Sequence, residues 1–539
     1  MSSGHHERLE ALMQEAAQRG YTRRQLVSRA AALGVALPAA GVMLSGARSA
    51  VGQSEPSGRI VLAMTVEPDS LENWRAYSTD GHPVLRNVME ALLNRDPVTN
   101  ELVGELATSW EQTDDVTWRF TLRQGVTFHN GEEFNAEVAA FGINYTWSPE
   151  NNFQIYQYVG PDMEARVVDD YTIDVVTEAP DPILPSRLYF SPIPSMTQVQ
   201  NEPDTLPDTP IGTGPYRFVE WNRGQYILLE ANPDWWGHGA DDAYGEVTIQ
   251  EAEWVFREES AVRASMITTG EAQFARFLSP EDCATTPQCV TASSVETIFL
   301  RLDTMHPAMS DVRIREAIAL AIDKEAVAQQ LFGGGEPASQ LVGPSATGYN
   351  DELEPYPYDM ERAKQLVEEA AADGVDVSAP IHVVTRQGIY LRNDEFAEYV
   401  ANQLNEIGLT ADSEVIEIAQ YNEQYDLNYH DVPPERGWIG TNPHGNEIMD
   451  VSSTAQAYYS CDGGSSTYCN PELDAALEEA RTLTGEEREA ALAEVTRMYY
   501  EDYGAIPIIH MPLNYGLAET LEWEPRLDGF ILLKEMRLT

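Results

Sequence analysis

The four cysteines of the 539-residue chain are the side chains best suited to covalent or metal chemistry, and they form two close pairs, Cys283/Cys289 and Cys461/Cys469. A four-cysteine zinc site would require the two pairs to meet in space, and neither pair has the short gap of about two to four residues that zinc-binding cysteines usually show. In an oxidising compartment, each close pair predicts a local disulfide instead. We therefore expect two disulfides and no metal site.

The usual sequence signatures of catalysis are missing from the chain. There is no phosphate-binding loop ending in Gly-Lys-Ser/Thr, no H-E-x-x-H, no G-x-S-x-G and no G-x-G-x-x-G. The ten histidines are scattered, and among 87 acidic residues a pair of carboxylates does not indicate acid–base catalysis. We expect no enzymatic activity and no cofactor. An exported hydrolase, assembled from residues distant in sequence, stays open as an alternative.

The charge of the chain is strongly negative. Lysine and arginine total 34 against 87 aspartates and glutamates, which gives a net charge of −53, and the only lysines are Lys324, Lys364 and Lys534. Nucleic acid and anionic membranes are excluded as partners because both would be repelled. An apolar fraction of 43% supplies buried cores, so the acidity does not indicate disorder. At about 1 M salt the self-repulsion is screened, which favours a halophilic acidic surface; an acidic extracellular protein from a high-GC genome is the alternative.

Residues 1–52 differ from the rest of the chain, with six arginines against three acidic residues. Arg23 and Arg24 precede an apolar run at 30–44, which is shorter than the roughly 20 residues of a membrane span. A basic region, a short apolar region and small residues form the layout of a cleavable export signal, and the paired arginines resemble a twin-arginine signal. An amphipathic N-terminal helix is the alternative. Since no lipid-anchor cysteine lies near the predicted cleavage site, we expect an unanchored protein in the periplasm or on the outer side of the cytoplasmic membrane.

Beyond the leader, the sequence alternates between strand and helix patterns. Residues 59–66 and 381–384 are apolar runs typical of buried strands, whereas 312–322 and 471–482 have the apolar spacing of amphipathic helices. A single strand region is predicted at 167–176. This alternation indicates α/β lobes.

Several stretches, taken in order, resemble the family 5 extracellular solute-binding proteins of ABC transporters, the group for peptides, nickel and related solutes. The most specific stretch is IGTGPYRFVEWNRGQYILLEANPDWW at 211–236, which is built on a G-T-G-P-Y core. The others are LRNVMEALLNRDP (85–97), LATSW (106–110), FTLRQGVTFHNGEEFNA (120–136), DVRIREAIALAID (311–323), YPYDMERA (356–363), YCNPELDAAL (468–477) and IPIIH (506–510).

The resemblance implies a two-lobed α/β fold of the type II periplasmic-binding-protein kind, with hinge strands, an inter-lobe cleft and an enlarged first lobe. Motif order maps a discontinuous first lobe onto 58–98, 209–297 and 500–539, an extra subdomain onto 99–208, and the second lobe onto 298–499. The resemblance also implies that the lobes close around a solute and that the closed complex docks on ABC transporter permease subunits. We expect a monomer.

In dipeptide-binding relatives, an arginine takes the carboxylate of the ligand and an aspartate just after a Gly-Trp pair takes its amine. Arg386 resembles that arginine, and the planar guanidinium suits the task because it donates two parallel hydrogen bonds. A surface arginine paired with an acid is the alternative. The stretch GWIGTN supplies further ligand-binding candidates, Trp438, Ile439, Gly440, Thr441 and Asn442. Trp438 resembles the aromatic floor of the cleft, with a core tryptophan as the alternative.

Thr441 stands where the amine-binding aspartate of the relatives is expected. A neutral hydroxyl does not supply the charge-assisted bond that a buried ammonium needs, so recognition of a free amine would require Glu447 or Asp450 as a substitute. His444, a lone loop histidine, is expected to be solvated rather than to bind ligand or metal. A loop of the first lobe contributes the polar candidates Tyr77, Ser78, Thr79 and Asp80.

The sequence is therefore interpreted as an extracytoplasmic binding protein for an oligopeptide or similar small organic solute. A metal chelate, with nickel or a haem-like ligand held by arginine and aromatic contacts, is the alternative solute.

Overall fold

A computed structural model describes residues 56–72, 81–97, 99–148, 150–151, 153, 163–238, 246–387, 390–425 and 427–539. The predicted export signal lies outside the described residues, as do the candidates Tyr77, Ser78, Thr79 and Asp80.

The described strands are numbered in chain order: β1 (Arg59–Met64), β2 (Leu93–Arg95), β3 (Leu102–Gly104), β4 (Ala107–Asp114), β5 (Thr117–Leu122), β6 (Met163–Asp169), β7 (Thr172–Thr177), β8 (Tyr216–Asn222), β9 (Tyr226–Ala231), β10 (Glu251–Phe256), β11 (Phe274–Ala275), β12 (Gln288–Leu302), β13 (Glu336–Pro337), β14 (Ile381–Arg386), β15 (Ala411–Ile416), β16 (Trp438–Gly445), β17 (Ala505–Leu517), β18 (Leu521–Glu522) and β19 (Arg537–Leu538). The α-helices are α1 (Gly81–Val88), α2 (Ala136–Thr146), α3 (Leu184–Phe190), α4 (Met196–Asn201), α5 (Ser260–Thr269), α6 (Pro280–Cys283), α7 (Val312–Ala321), α8 (Lys324–Ala326), α9 (Met360–Ala372), α10 (Asn393–Glu406), α11 (Ile418–Tyr425), α12 (Val451–Tyr458), α13 (Pro471–Thr482) and α14 (Gly485–Glu501).

Eleven strands form one mixed sheet in the order β15-β14-β16-β12-β17-β11-β1-β10-β9-β8, with β13 paired to β17. In this sheet β14 runs parallel to both β15 and β16, whereas β12 runs antiparallel to β16 and β17. A separate four-stranded sheet has the order β4-β5-β7-β6. Helices between successive strands of the large sheet give the α/β architecture that the sequence predicts.

Two long strands, β12 and β17, pass from one hydrophobic core to another. Leu513, Tyr515 and Leu517 at the end of β17 belong to a core shared with β1 and with the four-stranded sheet, whereas Ile506–Ile509 at its start pack with Ile298–Leu302 of β12 in a second core. The β12/β17 register shifts between Ser293 and Thr297. Because a register shift bends a strand pair, β12 and β17 bend between the two cores while staying paired.

Local signals position several elements as predicted. Asp359 accepts a hydrogen bond from the amide of Arg362 and begins α9, and Asn470 begins α13 in the same way. Asp311 caps α7 by accepting a hydrogen bond from the amide of Arg313. The single strand predicted at 167–176 is instead a hairpin of β6 and β7, because Asp170 and Tyr171 form a turn between two antiparallel strands.

Both predicted disulfides are present, Cys283–Cys289 and Cys461–Cys469. Among the described residues, no group of three or more His, Cys, Asp or Glu side chains is arranged to hold a metal ion. No helix in the described ranges has the length and apolar character needed to cross a membrane.

Candidate functional site

The carboxyl ends of two parallel strands meet at one edge of the second-core half of the large sheet. β14 ends there at Arg386, and β16 ends there at Gly445. The antiparallel strand β12 brings Glu296 directly opposite Gly445. In open α/β sheets, ligands bind outside the carboxyl ends of the strands. We call this region, which comprises Arg386, Thr441, Asn442, Glu296 and the stretch 445–447, the carboxyl edge.

Arg386 reaches the carboxyl edge without a charged partner. Its side chain is half-buried, its Nε is buried without a hydrogen bond, and no ion pair joins its guanidinium to any described residue. The strand end itself is fixed by Asn393, whose Nδ2 donates to the carbonyl of Arg386 at 2.8 Å and to the hydroxyl of Thr385 at 2.9 Å. In a chain with 87 acidic residues, this guanidinium has no carboxylate partner among the described residues.

Two buried side chains on β16 carry polar atoms without partners. Thr441 is fully buried, and its hydroxyl makes no hydrogen bond of ordinary geometry; the same holds for the nearby Tyr390 hydroxyl. Asn442 donates from Nδ2 to the Tyr421 hydroxyl, but its Oδ1 accepts no hydrogen bond. A Cβ on Gly440 would lie 2.4 Å from that Oδ1, so glycine is needed to leave the amide in place. Such atoms are expensive to bury unless a ligand satisfies them.

Trp438 and Ile439 lie apart from the carboxyl edge. Trp438 pairs with His382 at the start of β14, which places it four residues before Asn442, or about 13 Å along the strand. Its half-buried ring stacks on Tyr421 at 6.2 Å between centroids and receives the Arg436 guanidinium at 4.8 Å. Ile439 is fully buried in the second core. The backbone register thus sets Arg386, Thr441 and Asn442 at one end of β16 and Trp438 and Ile439 at the other, although the Trp438 ring packs on Tyr421, the hydrogen-bond partner of Asn442.

Asp450, one of the two acids named as a possible amine partner, is already occupied. Its carboxylate accepts two hydrogen bonds from Arg488, at 2.7 and 2.8 Å, and both side chains are almost fully buried. It also begins α12 by accepting from the amide of Ser452 at 2.9 Å. The other acid, Glu447, has no such partner.

His444 is not the solvated loop residue that the sequence predicted. It lies within β16, its Nε2 is 2.7 Å from the hydroxyl of Thr454, and its ring packs edge-on against Tyr458 at 4.7 Å. Burial lowers the pKa of His444 to about 4. The histidine is therefore neutral at pH 7 and joins β16 to α12.

A cavity of about 630 Å³ lies elsewhere, and none of the residues of the carboxyl edge lines it. Its walls include Trp110 and Trp118 on one side and Met449, Asp450 and Arg488 on the other. On the second wall Asp450 and Arg488 are paired with each other, whereas Glu489, which also lines the cavity, forms no ion pair with a described residue.

Tyr390 and Glu296 were not identified from the sequence. Neither residue belongs to a recognisable motif, and only the pairing of β12 with β16 and the turn after β14 bring them to the carboxyl edge.

Comparison with known proteins agrees with this architecture. Residues 101–460 match the family described as bacterial extracellular solute-binding proteins, family 5 middle. The di/tripeptide-binding protein 2 of Pseudomonas aeruginosa is 25% identical over 511 residues, which cover 88% of this chain and 93% of that protein. The haem-binding protein A of Haemophilus influenzae is 26% identical over 80% of this chain and 82% of its own length.

Among solved structures, the periplasmic binding protein DppA of Helicobacter pylori, in complex with the peptide STSA, superposes with a TM-score of 0.73. The two chains are 22% identical, and the match covers 89% of this chain and 98% of that one. The fold is therefore the two-lobed α/β fold of periplasmic binding proteins, as the sequence predicts. The family match spans about two-thirds of the chain, and the chain belongs to the family 5 bacterial extracellular solute-binding proteins.

Proposed function

We propose that the protein is the solute-binding component of an ABC importer and that its solute is a short peptide held at the carboxyl edge. The main support for this proposal is the environment of Arg386. Its guanidinium has no anionic partner among the described residues, and a planar fork with free donors matches a terminal carboxylate. The curated relative named for di- and tripeptides supports the same class of solute.

The unpartnered atoms of β16 complement a peptide backbone. The buried Oδ1 of Asn442 lacks a donor, and the hydroxyl of Thr441 both donates and accepts. A peptide unit offers one N–H and one C=O, and its N–H would satisfy the Oδ1 of Asn442. A haem-like solute would offer carboxylates to Arg386 but no amide donors for Asn442, which favours the peptide.

Closure of two lobes is the expected mechanism. The motif order maps 500–539 onto the first lobe, but we propose that the first half of β17, up to Met511, goes with the second lobe, because its side chains pack in the second core. The register shift at 293–297 and the neighbouring contact, in which the hydroxyl of Ser294 donates to the carbonyl of Met511 at 2.8 Å, provide the hinge. A ligand that contacts both lobes then favours the closed state by its differential affinity.

The further steps follow from this role. We propose export as a folded protein by the twin-arginine route, a monomer on the outer side of the cytoplasmic membrane, and delivery of the peptide to permease subunits.

The test is titration of the purified protein with a mixture of Ala-Xaa-Ala tripeptides and with the same mixture carrying C-terminal amides, followed by native mass spectrometry. The wild type should prefer the free carboxylates, and Arg386→Gln should lose that preference by about tenfold or more. Arg362→Gln is the matched control, since Arg362 pairs with Glu369 on the surface of α9. Failure of the wild type to retain any tripeptide, or stronger retention of haem, would refute the proposed function.

A further inference from the structure

Glu447 is an acidic side chain at the carboxyl edge that forms no ion pair with any residue the structure describes. A Cβ built on Gly445 would lie 2.3 Å from its Oε1, so the carboxylate is folded directly over that glycine. Gly445 is the cross-strand partner of Glu296. Directly opposed residues of an antiparallel pair have Cα atoms about 4.5–5.5 Å apart, and two carboxylates therefore lie side by side.

The loop that carries Glu447 is held firmly on both sides. Asn446 donates from its amide to the carbonyl of Val295, and its side chain makes two hydrogen bonds with the main chain of Asp450. On the other side, Arg95 donates to the carbonyl of Ile448 at 3.0 Å, and the Ile448 side chain packs into the first core. Glu447 is thus held in place by its neighbours while its own carboxylate pairs with none of them.

Charge compensation for the two acids is incomplete. No described residue forms an ion pair with Glu447 or Glu296, and Arg276 acts on Glu296 only at longer range. Burial raises the pKa of Glu447 to about 7; its own amide opposes this rise and the Glu296 carboxylate adds to it. Both side chains nevertheless keep contact with solvent, so a solute can reach them.

A second observation points to a ligand at the same place. Asn442, which is 2% exposed, carries an Oδ1 without a donor three residues before Gly445 on the same strand, with its amide held over Gly440. Arg386, which forms no ion pair with a described residue, lies level with Asn442 at one end, and Glu447 and Glu296 lie about 10 Å further along β16 at the other end. The order matches the carboxylate, backbone and ammonium of a peptide zwitterion.

We propose that Glu447, backed by Glu296, binds the ammonium group of the solute and replaces the carboxylate that Thr441 does not provide. This inference rests on the proposed function and assigns the specificity for a free amine to a residue ten positions from the Gly-Trp pair. The β14/β16 register, extended by two residues, sets Arg386 opposite Asn442. The three steps from Asn442 to Gly445 span about 10 Å, which suits the ends of a tripeptide.

The experiment compares the Ala-Xaa-Ala mixture with the same mixture after N-acetylation, using native mass spectrometry and calorimetric titration of the full-length protein at pH 8. The wild type should bind the free amines about tenfold or more tightly, since a charge-assisted hydrogen bond is lost on acetylation. Glu447→Gln should remove the preference, and Glu296→Gln should weaken it. Glu368→Gln, an exposed position in the middle of α9, serves as the control.

The outcomes separate the two proposals. Equal binding of free and acetylated tripeptides by the wild type, or an unchanged preference in Glu447→Gln, would overturn the role of Glu447 while leaving peptide binding intact. Absence of binding to either mixture would overturn the proposed function and, with it, this inference. Circular dichroism of each variant shows whether a loss of binding reflects unfolding; if Glu447→Gln does not fold, Glu447→Asp, which shortens the acid by one methylene, should retain the preference with reduced affinity.

Discussion

Replacing Glu447 by glutamine should make the ligand-free protein more stable at pH 8. In the unfolded chain the carboxyl titrates near its ordinary value of 4.5, whereas burial raises the pKa of Glu447 to about 7 in the folded protein. An acid whose pKa is raised on folding stabilises the folded state fully below pH 4.5, and this contribution is lost as the pH rises through 7. Glutamine does not ionise and avoids the loss.

The size of the effect follows from the pKa difference. At about 1.36 kcal/mol per pKa unit, a rise from 4.5 to about 7 corresponds to a ceiling of about 3 kcal/mol. We expect about 1–2 kcal/mol, because the side chain keeps solvent contact and solvent screens part of the cost. Glu296 faces the same loop with its own pKa raised by burial, while Arg276 lowers it. In the variant, Glu296 therefore loses a repulsive neighbour, which acts in the same direction.

The assay is differential scanning fluorimetry of the wild type, Glu447→Gln and the exposed control Glu368→Gln between pH 5 and pH 8. With an unfolding entropy of about 2 cal/mol/K per residue, the Glu447→Gln advantage at pH 8 corresponds to a shift of about 1–2 °C, and it should shrink towards pH 5. A shift of equal size at both pH values, or none at pH 8, would refute the assignment of Glu447 as a buried acid without a cation. The control should show no pH-dependent difference.

Three further predictions concern the scaffold. Arg488→Met leaves the Asp450 carboxylate buried without its partner and should cost about 3–5 kcal/mol in urea unfolding; a loss below 1 kcal/mol would contradict the burial of this pair. Trp438→Ala should lower stability by about 2 kcal/mol and leave tripeptide affinity within twofold, because its backbone lies about 13 Å from Asn442 along β16 and its ring packs on Tyr421; a tenfold loss of affinity would place it in the binding surface instead. The net charge of −53 predicts a melting temperature that rises between about 0.1 and 1 M NaCl, as screening removes repulsion, and a flat salt series would speak against a halophilic surface.

Elements with strong local signals were predictable from the sequence. The helix α13 has the predicted bounds, since Asn470 caps it and Pro471 fits its first turn. The hydrophobic pattern did not predict that β12 and β17 pass from one core to the other. An apolar run indicates that a strand is buried, but not in which core each half is buried. The two-lobed fold was predicted from the resemblance to a solute-binding family.

The candidate site could be predicted only in part from the sequence. Arg386 and the GWIGTN stretch were found by motif, but the motif did not separate Thr441 and Asn442 at the carboxyl edge from Trp438 and Ile439, which lie at the far end of the strand. That separation depends on the register of β16 against β14, which is a contact between segments more than fifty residues apart.

The sequence by itself determined the composition-driven properties: a strongly acidic chain, two local disulfides, an α/β pattern and a place among solute-binding proteins. Those features depend on residue type and short-range spacing. Only the tertiary structure decided which charges are compensated. In the sequence Asp450 and Glu447, three residues apart, were equivalent candidates for binding an amine. In the fold, Asp450 forms an ion pair with Arg488, whereas Glu447 lies beside Glu296. The physical reason is that charge pairing requires approach within about 4 Å, which packing between distant segments sets and sequence spacing does not.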